Sequence, residues 1–168
     1  AARFGPPATF VLALDTGDAW TGPGTMGEVT FGQVIVDAMN MVGYDAMALG
    51  VKELQLGRDV LERRIAEARF PIVSANACWR AGEPIVDAYT VLAIGDHRVG
   101  VIGLPPPPDV PAEGFDVTDP ADALARVLPE VAEVAHTIVL LTSLTPDEAR
   151  VLAQRNPGLD LVIAGNAW

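Results

Sequence analysis

Hydrophobic and polar positions alternate along this chain between two rhythms. Short unbroken apolar runs fall at residues 10–14, 46–49, 137–141 and 161–164, the pattern of strands buried on both faces. Residues 71–76 are also strand-like, and the runs 85–94 and 98–104 flank Gly95-Asp96-His97 as a β-hairpin. Between these runs the period lengthens to that of a helix. Thr30 can cap a helix to about Val42, with Val34, Ala38 and Met41 on one face and Gly43 as its stop. Residues 58–68 set Val60, Leu61 and Ile65 against Glu62, Arg63, Arg64 and Glu67. Asp119 or Asp122 opens a helix to about Ala135, in which Pro129 is expected to make a kink or a break. Thr145 caps a helix over 146–154 with Pro146 at its first position. Strands and helices alternate with one hairpin inserted, which predicts an α/β fold with a largely parallel sheet and an antiparallel part.

Punctuation sets the organisation. Residues 1–9, with Phe4, Pro6 and Pro7, read as an extended arm, and 22–27 as a glycine-rich loop. The prolines at 105–108 suit a loop between elements better than a polyproline docking ligand. Residues 10–168 then form one domain, in line with a chain of 168 residues of which 50% are apolar.

Charge narrows the functional classes. Asp and Glu outnumber Lys and Arg by 22 to 11, a net charge of −11, so neither nucleic acid nor an anionic membrane is an expected partner. No apolar run approaches the ~20 residues of a membrane span, and no basic leader precedes an apolar core. Cys78 is the one cysteine, which excludes an internal disulfide and a cysteine-rich zinc site. Its thiol is expected to be unreactive. His97 and His136, in a turn and at a helix-to-strand junction, read as ordinary surface histidines.

Several motifs occur in order. Residues 43–53 read Gly-Tyr-Asp-Ala-Met-Ala-Leu-Gly-Val-Lys-Glu, and residues 14–18 read Leu-Asp-Thr-Gly-Asp, followed by Ala19-Trp20. Asp37-Ala38-Met39-Asn40, Phe70-Pro71-Ile72-Val73-Ser74-Ala75-Asn76 and Val99-Gly100-Val101-Ile102-Gly103-Leu104 complete the set. From residue 10 to residue 168 the chain resembles the 5′-nucleotidase branch of the calcineurin-like metallophosphoesterases. The tryptophan after Gly-Asp is also similar to the thiosulfohydrolase branch of sulfur oxidation. The resemblance implies an α/β/β/α sandwich with mixed sheets. It also implies an exported protein, periplasmic or extracellular.

The departures fall on chemistry. Members of the resembled family hold two divalent metals that clamp the substrate and activate water. The family's Gly-Asp ends on a metal-bridging carboxylate, matched here by Asp18. Its Gly-Asn-His-Glu holds a metal ligand and a catalytic histidine, which here read Val51 and Lys52 before Glu53. Family histidines are replaced by Ser143, Asn166 and Trp168. The family's first strand, with its Asp-x-His motif, has no counterpart. Asp18, Val51, Lys52, Glu53, Asn76, Ser143, Asn166 and Trp168 are therefore expected to form a relic site, with no catalytic residue, no metal and no cofactor. A Lys52 ammonium paired with the Asp18 carboxylate would replace the lost positive charge, and Trp20 and Trp168 would fill the vacated metal cavity. The expected function is that of an inactive, nucleotidase-like binding or structural subunit. Its expected partner is another protein chain docked beside the strand at 10–14, through Phe4, Pro6, Pro7 and Trp168. The alternative is an active metal-dependent phosphoesterase whose missing ligands come from another chain.

Overall fold

The computed structural model describes residues 10–109 and 114–165. In chain order its elements are β1 (Leu14–Asp15), α1 (Met26–Val29), α2 (Gln33–Val42), β2 (Ala46–Ala48), α3 (Val51–Leu54), α4 (Arg58–Glu67), β3 (Ile72–Val73) and β4 (Ala77–Trp79). They continue as β5 (Tyr89–Ile94), β6 (His97–Leu104), β7 (Phe115–Val117), α5 (Pro120–Val134), β8 (Thr137–Thr142), α6 (Pro146–Arg155) and β9 (Leu161–Ala164). One sheet has the order β1-β2-β3 and is parallel throughout. A second has the order β5-β6-β8-β9, parallel except for the antiparallel β5–β6 hairpin. β4 and β7 form a small antiparallel pair.

The two-residue repeat of a strand sorts side chains into layers. On β2, Ala46 and Ala48 face one way and pack with Val73, Val99, Val101, Val139 and Leu141 between the two large sheets. Met47 faces the other way and joins Leu49, Val36, Met39, Leu54 and Leu61 under α2, α3 and α4. On β6 and β8 the alternate positions Ile102, Leu104, Ile138 and Leu140 pack against Leu124, Val127 and Val131 of α5 and Ala149 and Leu152 of α6. The result is four layers, helix on sheet on sheet on helix, as expected for the α/β/β/α sandwich. Glycine sets the spacing on both faces of β6. A Cβ at Gly103 would overlap the Val73 carbonyl oxygen of the facing sheet, and one at Gly100 would overlap a Val131 methyl of α5.

Several boundaries differ from expectation. Pairing in the strand expected at 10–14 starts only at Leu14, and Phe10 and Val11 are 61% and 83% exposed. The helix expected at 30–42 begins only at Gln33, and a separate short helix, α1, starts within the loop expected at 22–27. Thr30 ends α1, its hydroxyl donating to the Met26 carbonyl at 2.7 Å. Gly32, at φ 82, precedes α2 instead. The face of α2 that packs carries Val36 and Met39, whereas Val34, Ala38 and Met41 face solvent. α5 runs unbroken through Pro129, because Pro129 and Ala125, whose carbonyl loses its partner, both lie on the solvent side. The hairpin turn is Gly95-Asp96 alone, with Gly95 at φ 60 as in a type II′ turn, and His97 is already the first residue of β6. No helix among the described residues is long and apolar enough to cross a membrane. The arm at 1–9 lies outside the described residues.

Candidate functional site

Parallel strands end together, and the loops after their carboxyl ends converge. Residues that follow β1, β2, β6 and β8 surround one cleft of about 460 Å³. Its lining includes Asp18, Val51, Lys52, Gln55, the prolines 106–108 and Ser143, with Asp109, Thr145 and Glu148 at its acidic side.

The β1 side is built by close approach. Gly17 has φ 90, and a Cβ there would stand 2.8 Å from the Ala48 carbonyl and the Gly50 amide. Asp18 follows at φ 60, left-handed for a residue with a side chain. Its Oδ1 accepts the backbone N–H of Lys52 at 2.8 Å. The expected ammonium–carboxylate pair is thus replaced by an amide contact, and no ion pair joins Asp18 and Lys52 among the described residues. The first turn of α3 brings the Lys52 amide to Asp18, while the half-buried side chain lines the cleft wall.

Glu53 locks this arrangement from below. It is fully buried, and its Oε2 accepts the amides of Asp18 at 2.7 Å and Gly50 at 3.0 Å. Its Oε1 accepts the Trp20 amide at 2.9 Å. Burial pushes its pKa up to about 7; the Trp20 amide opposes this, the Asp18 charge adds to it, and the Asp18 and Gly50 amides oppose it. Burial also raises the pKa of Asp15, against the Gly17 amide that its carboxylate accepts at 2.9 Å and together with the neighbouring Asp18 charge.

The remaining expected residues divide. Ser143 lines the cleft, is 5% exposed, and its Oγ has no hydrogen-bond partner among the described residues. Asn76 does not reach the cleft. It is buried, and its Nδ2 donates to the Pro105 and Thr118 carbonyls, each at 2.9 Å, so it anchors the proline loop from behind. Trp20 is fully buried in the core under the helices, against Gly32, where a Cβ would come within 2.9 Å of its own. It therefore packs there and not in the cleft. Asn166, Trp168, Phe4, Pro6 and Pro7 lie outside the described residues. The rings of His97 and His136 lie 5.1 Å apart, tilted by 39°, at the amino ends of β6 and β8, and the Arg98 amide donates to His136 Nδ1 at 3.0 Å. Gln55, Asp109 and Glu148 join the cleft without having been singled out, and so does Thr145, expected only as a helix cap; the Thr-x-x-Glu spacing of Thr145 and Glu148 is a capping-box signal. Among the described residues, no three His, Cys, Asp or Glu side chains are grouped so as to hold a metal ion.

No protein-family model matches the chain. The human 5′-nucleotidase is 31% identical over 171 residues, covering 94% of this chain and 29% of that protein. The sulfate thiohydrolase SoxB of Thermus thermophilus superposes with a TM-score of 0.80 at 30% identity, over 92% of this chain and 30% of that one. The calcineurin-like phosphoesterase YfkN of Bacillus subtilis gives a TM-score of 0.78 at 27% identity, over 92% of this chain and 57% of that one. The chain thus spans about 29% of the length of curated relatives such as the human protein.

Proposed function

Because this chain is related to the 5′-nucleotidase and calcineurin-like metallophosphoesterase family, we propose that it is a catalytically inactive member serving as a binding or structural subunit. One observation carries this: the cleft that would house a metal pair presents Asp18 together with Val51, Lys52 and Ser143. A pair of divalent metals needs several anionic or imidazole ligands. The cleft has three carboxylates in its lining, Asp18, Asp109 and Glu148, but among the described residues they are not grouped so as to hold a metal ion, and Val51, Lys52 and Ser143 do not fit that need. Glu53 does not add to the donors, since both its oxygens are occupied by backbone amides.

Binding is the role left to such a domain, and the partner is proposed to be another protein chain beside β1. Supporting this, β1 pairs with β2 alone among the described residues, and Phe10 and Val11 are exposed beside it. A periplasmic or extracellular setting belongs to the same proposal and rests on the family relationship alone.

Two measurements on the purified chain decide the inactive assignment. After dialysis it retains no stoichiometric Zn, Mn, Fe or Ca by elemental analysis. With added Mn it hydrolyses nucleoside monophosphates, UDP-sugars and bis-nitrophenyl phosphate no faster than buffer. Turnover that Asp18→Ala abolishes would establish the alternative, an active phosphoesterase.

A further inference from the structure

We infer that the outer face of α2 docks an amphipathic helix of another protein, one whose polar flank is basic. This surface is neither the cleft nor the edge of β1, and the inference holds whether or not the cleft is inactive.

The pattern along α2 comes first. The face turned to the sheet carries Val36 and Met39. The opposite face of a surface helix is ordinarily charged or polar. Here Val34, Ala38 and Met41, at the i, i+4, i+7 spacing of one helical stripe, are all exposed, and Val42 adjoins them. Met41 and Val42 are 88% and 72% exposed. Asp37 is the one charged side chain in the ten residues of α2. The preceding helix α1 exposes Met26 and Val29 as well. Single apolar residues on a surface need no explanation, but an apolar stripe in register with a helix marks an interaction surface.

A second observation is Phe31, between the two helices. Its φ is 49, a left-handed conformation that is costly for a bulky residue, and it is 60% exposed. Burial within the chain does little to offset that cost, whereas a partner lying over Phe31 would.

Backbone and charge select the occupant. The backbone groups of α2 are bonded within the helix, which the Gly43 amide closes onto the Met39 carbonyl. A strand therefore has nothing to pair with here, and recognition falls to side chains. A helix sets its own ridges between those at 34, 38 and 41, and the small Ala38 in the middle admits close approach. Exposed methionines adapt to the surface that they meet. The sequence has no Lys or Arg between Arg3 and Lys52, while Glu28 and Asp37 stand on α1 and α2. Asp37 is exposed and has no hydrogen bond or ion pair among the described residues. A second copy would bring the same acidic groups to the contact, and an anionic membrane would add like charge. Lys or Arg beside the apolar stripe of a partner helix complements Glu28 and Asp37.

The test titrates a basic amphipathic peptide, repeats of Leu-Lys-Lys-Leu-Leu-Lys-Leu, into the whole chain at physiological ionic strength, followed by amide NMR shifts. A matched peptide with Glu for every Lys, and neutral phosphatidylcholine vesicles, are run beside it. Saturable binding of the Lys peptide is expected, with shifts centred on residues 31–42. Met41→Glu is expected to weaken it about tenfold or more, because it sets a charge in the apolar stripe. Asp37→Asn weakens it by a smaller factor. Glu130→Gln, at an exposed carboxylate of α5 in the opposite helical layer, leaves it unchanged. All three positions are exposed, so the variants fold, which a thermal melt verifies. Equal weakening by Asp37→Asn and Glu130→Gln with no effect of Met41→Glu would reduce the binding to diffuse attraction by a surface of net charge −11 and overturn the inference. Absence of binding by the Lys peptide, or equal binding by the Glu peptide, would overturn it too. Self-association that Met41→Glu abolishes would give the face to a second copy, and vesicle binding that the same variant abolishes would give it to a lipid surface; either overturns the helix partner.

Discussion

At the scale of single residues, Glu53 carries more of the site than its sequence position suggests. One carboxylate satisfies three backbone amides at the junction of β1 and α3. Glu53→Ala leaves those amides buried without acceptors, and the expected loss is about 3 kcal/mol or more in urea unfolding at pH 5. The pH dependence has a definite sign. The folded-state pKa is raised from 4.5 to about 7, so between those values the folded chain holds a proton that the unfolded chain has released. The contribution of Glu53 is therefore fully present below the unfolded value and is lost as pH rises through the window to about 7. Glu53→Gln does not titrate. The stability of the wild type relative to Glu53→Gln is expected to fall from pH 5 to pH 8, by up to about 3 kcal/mol. A difference constant across that range, or one that grows, refutes the burial-driven shift.

At the scale of elements, α2 shows how a helical repeat is read correctly in period and misread in phase. Its apolar residues lie on two faces, because the helix is rich in Val, Ile, Ala and Met. Val36 and Met39 are buried, while Met41 is 88% exposed. Met39→Ala is expected to cost about 2–5 kcal/mol. Met41→Ala is expected to stay within about 0.5 kcal/mol of the wild type. Thermal or urea unfolding of the two variants separates the faces, and equal losses would mean that both are packed.

At the scale of the whole molecule, β1 and β9 are edge strands on one side of the sandwich among the described residues, and Gly165 after β9 abuts Thr16 after β1. Leu12, Leu14 and Ile163 of the inter-sheet core are only partly buried at this side. Unpaired edges next to apolar side chains are a template for another strand. Hydrogen exchange on the isolated chain is expected to show fast exchange at residues 10–15 and slow exchange across the hydrogen-bonded strands β6 and β8. Protection at 10–15 equal to that of β8 would show the edge already covered within the chain and would remove the docking proposal.

The sequence by itself determined the alternation of strands and helices, the apolar runs of β2, β8 and β9 and the end of the run that enters β1, the cap at Thr145, a helix start at Asp119 or Asp122, and the glycine turn before Val51. Each of these is local: a period, a cap or a turn is written within a few neighbouring residues. Asp18, Val51, Lys52 and Ser143 were also legible as one site, through the motifs and the resemblance that they carry. Tertiary structure alone decided which face of α2 is buried, because both faces are apolar and only the sheet beneath chooses. It alone moved Asn76 and Trp20 out of the cleft, since each finds its contacts far away in sequence, at Pro105 and Thr118 for one and at Gly32 and the helix-side core for the other. It also gave Asp18 a backbone amide in place of the Lys52 ammonium. A carboxylate takes the nearest preorganised donor, and that donor is fixed by how α3 meets the end of β1, a distance no spacing along the chain records.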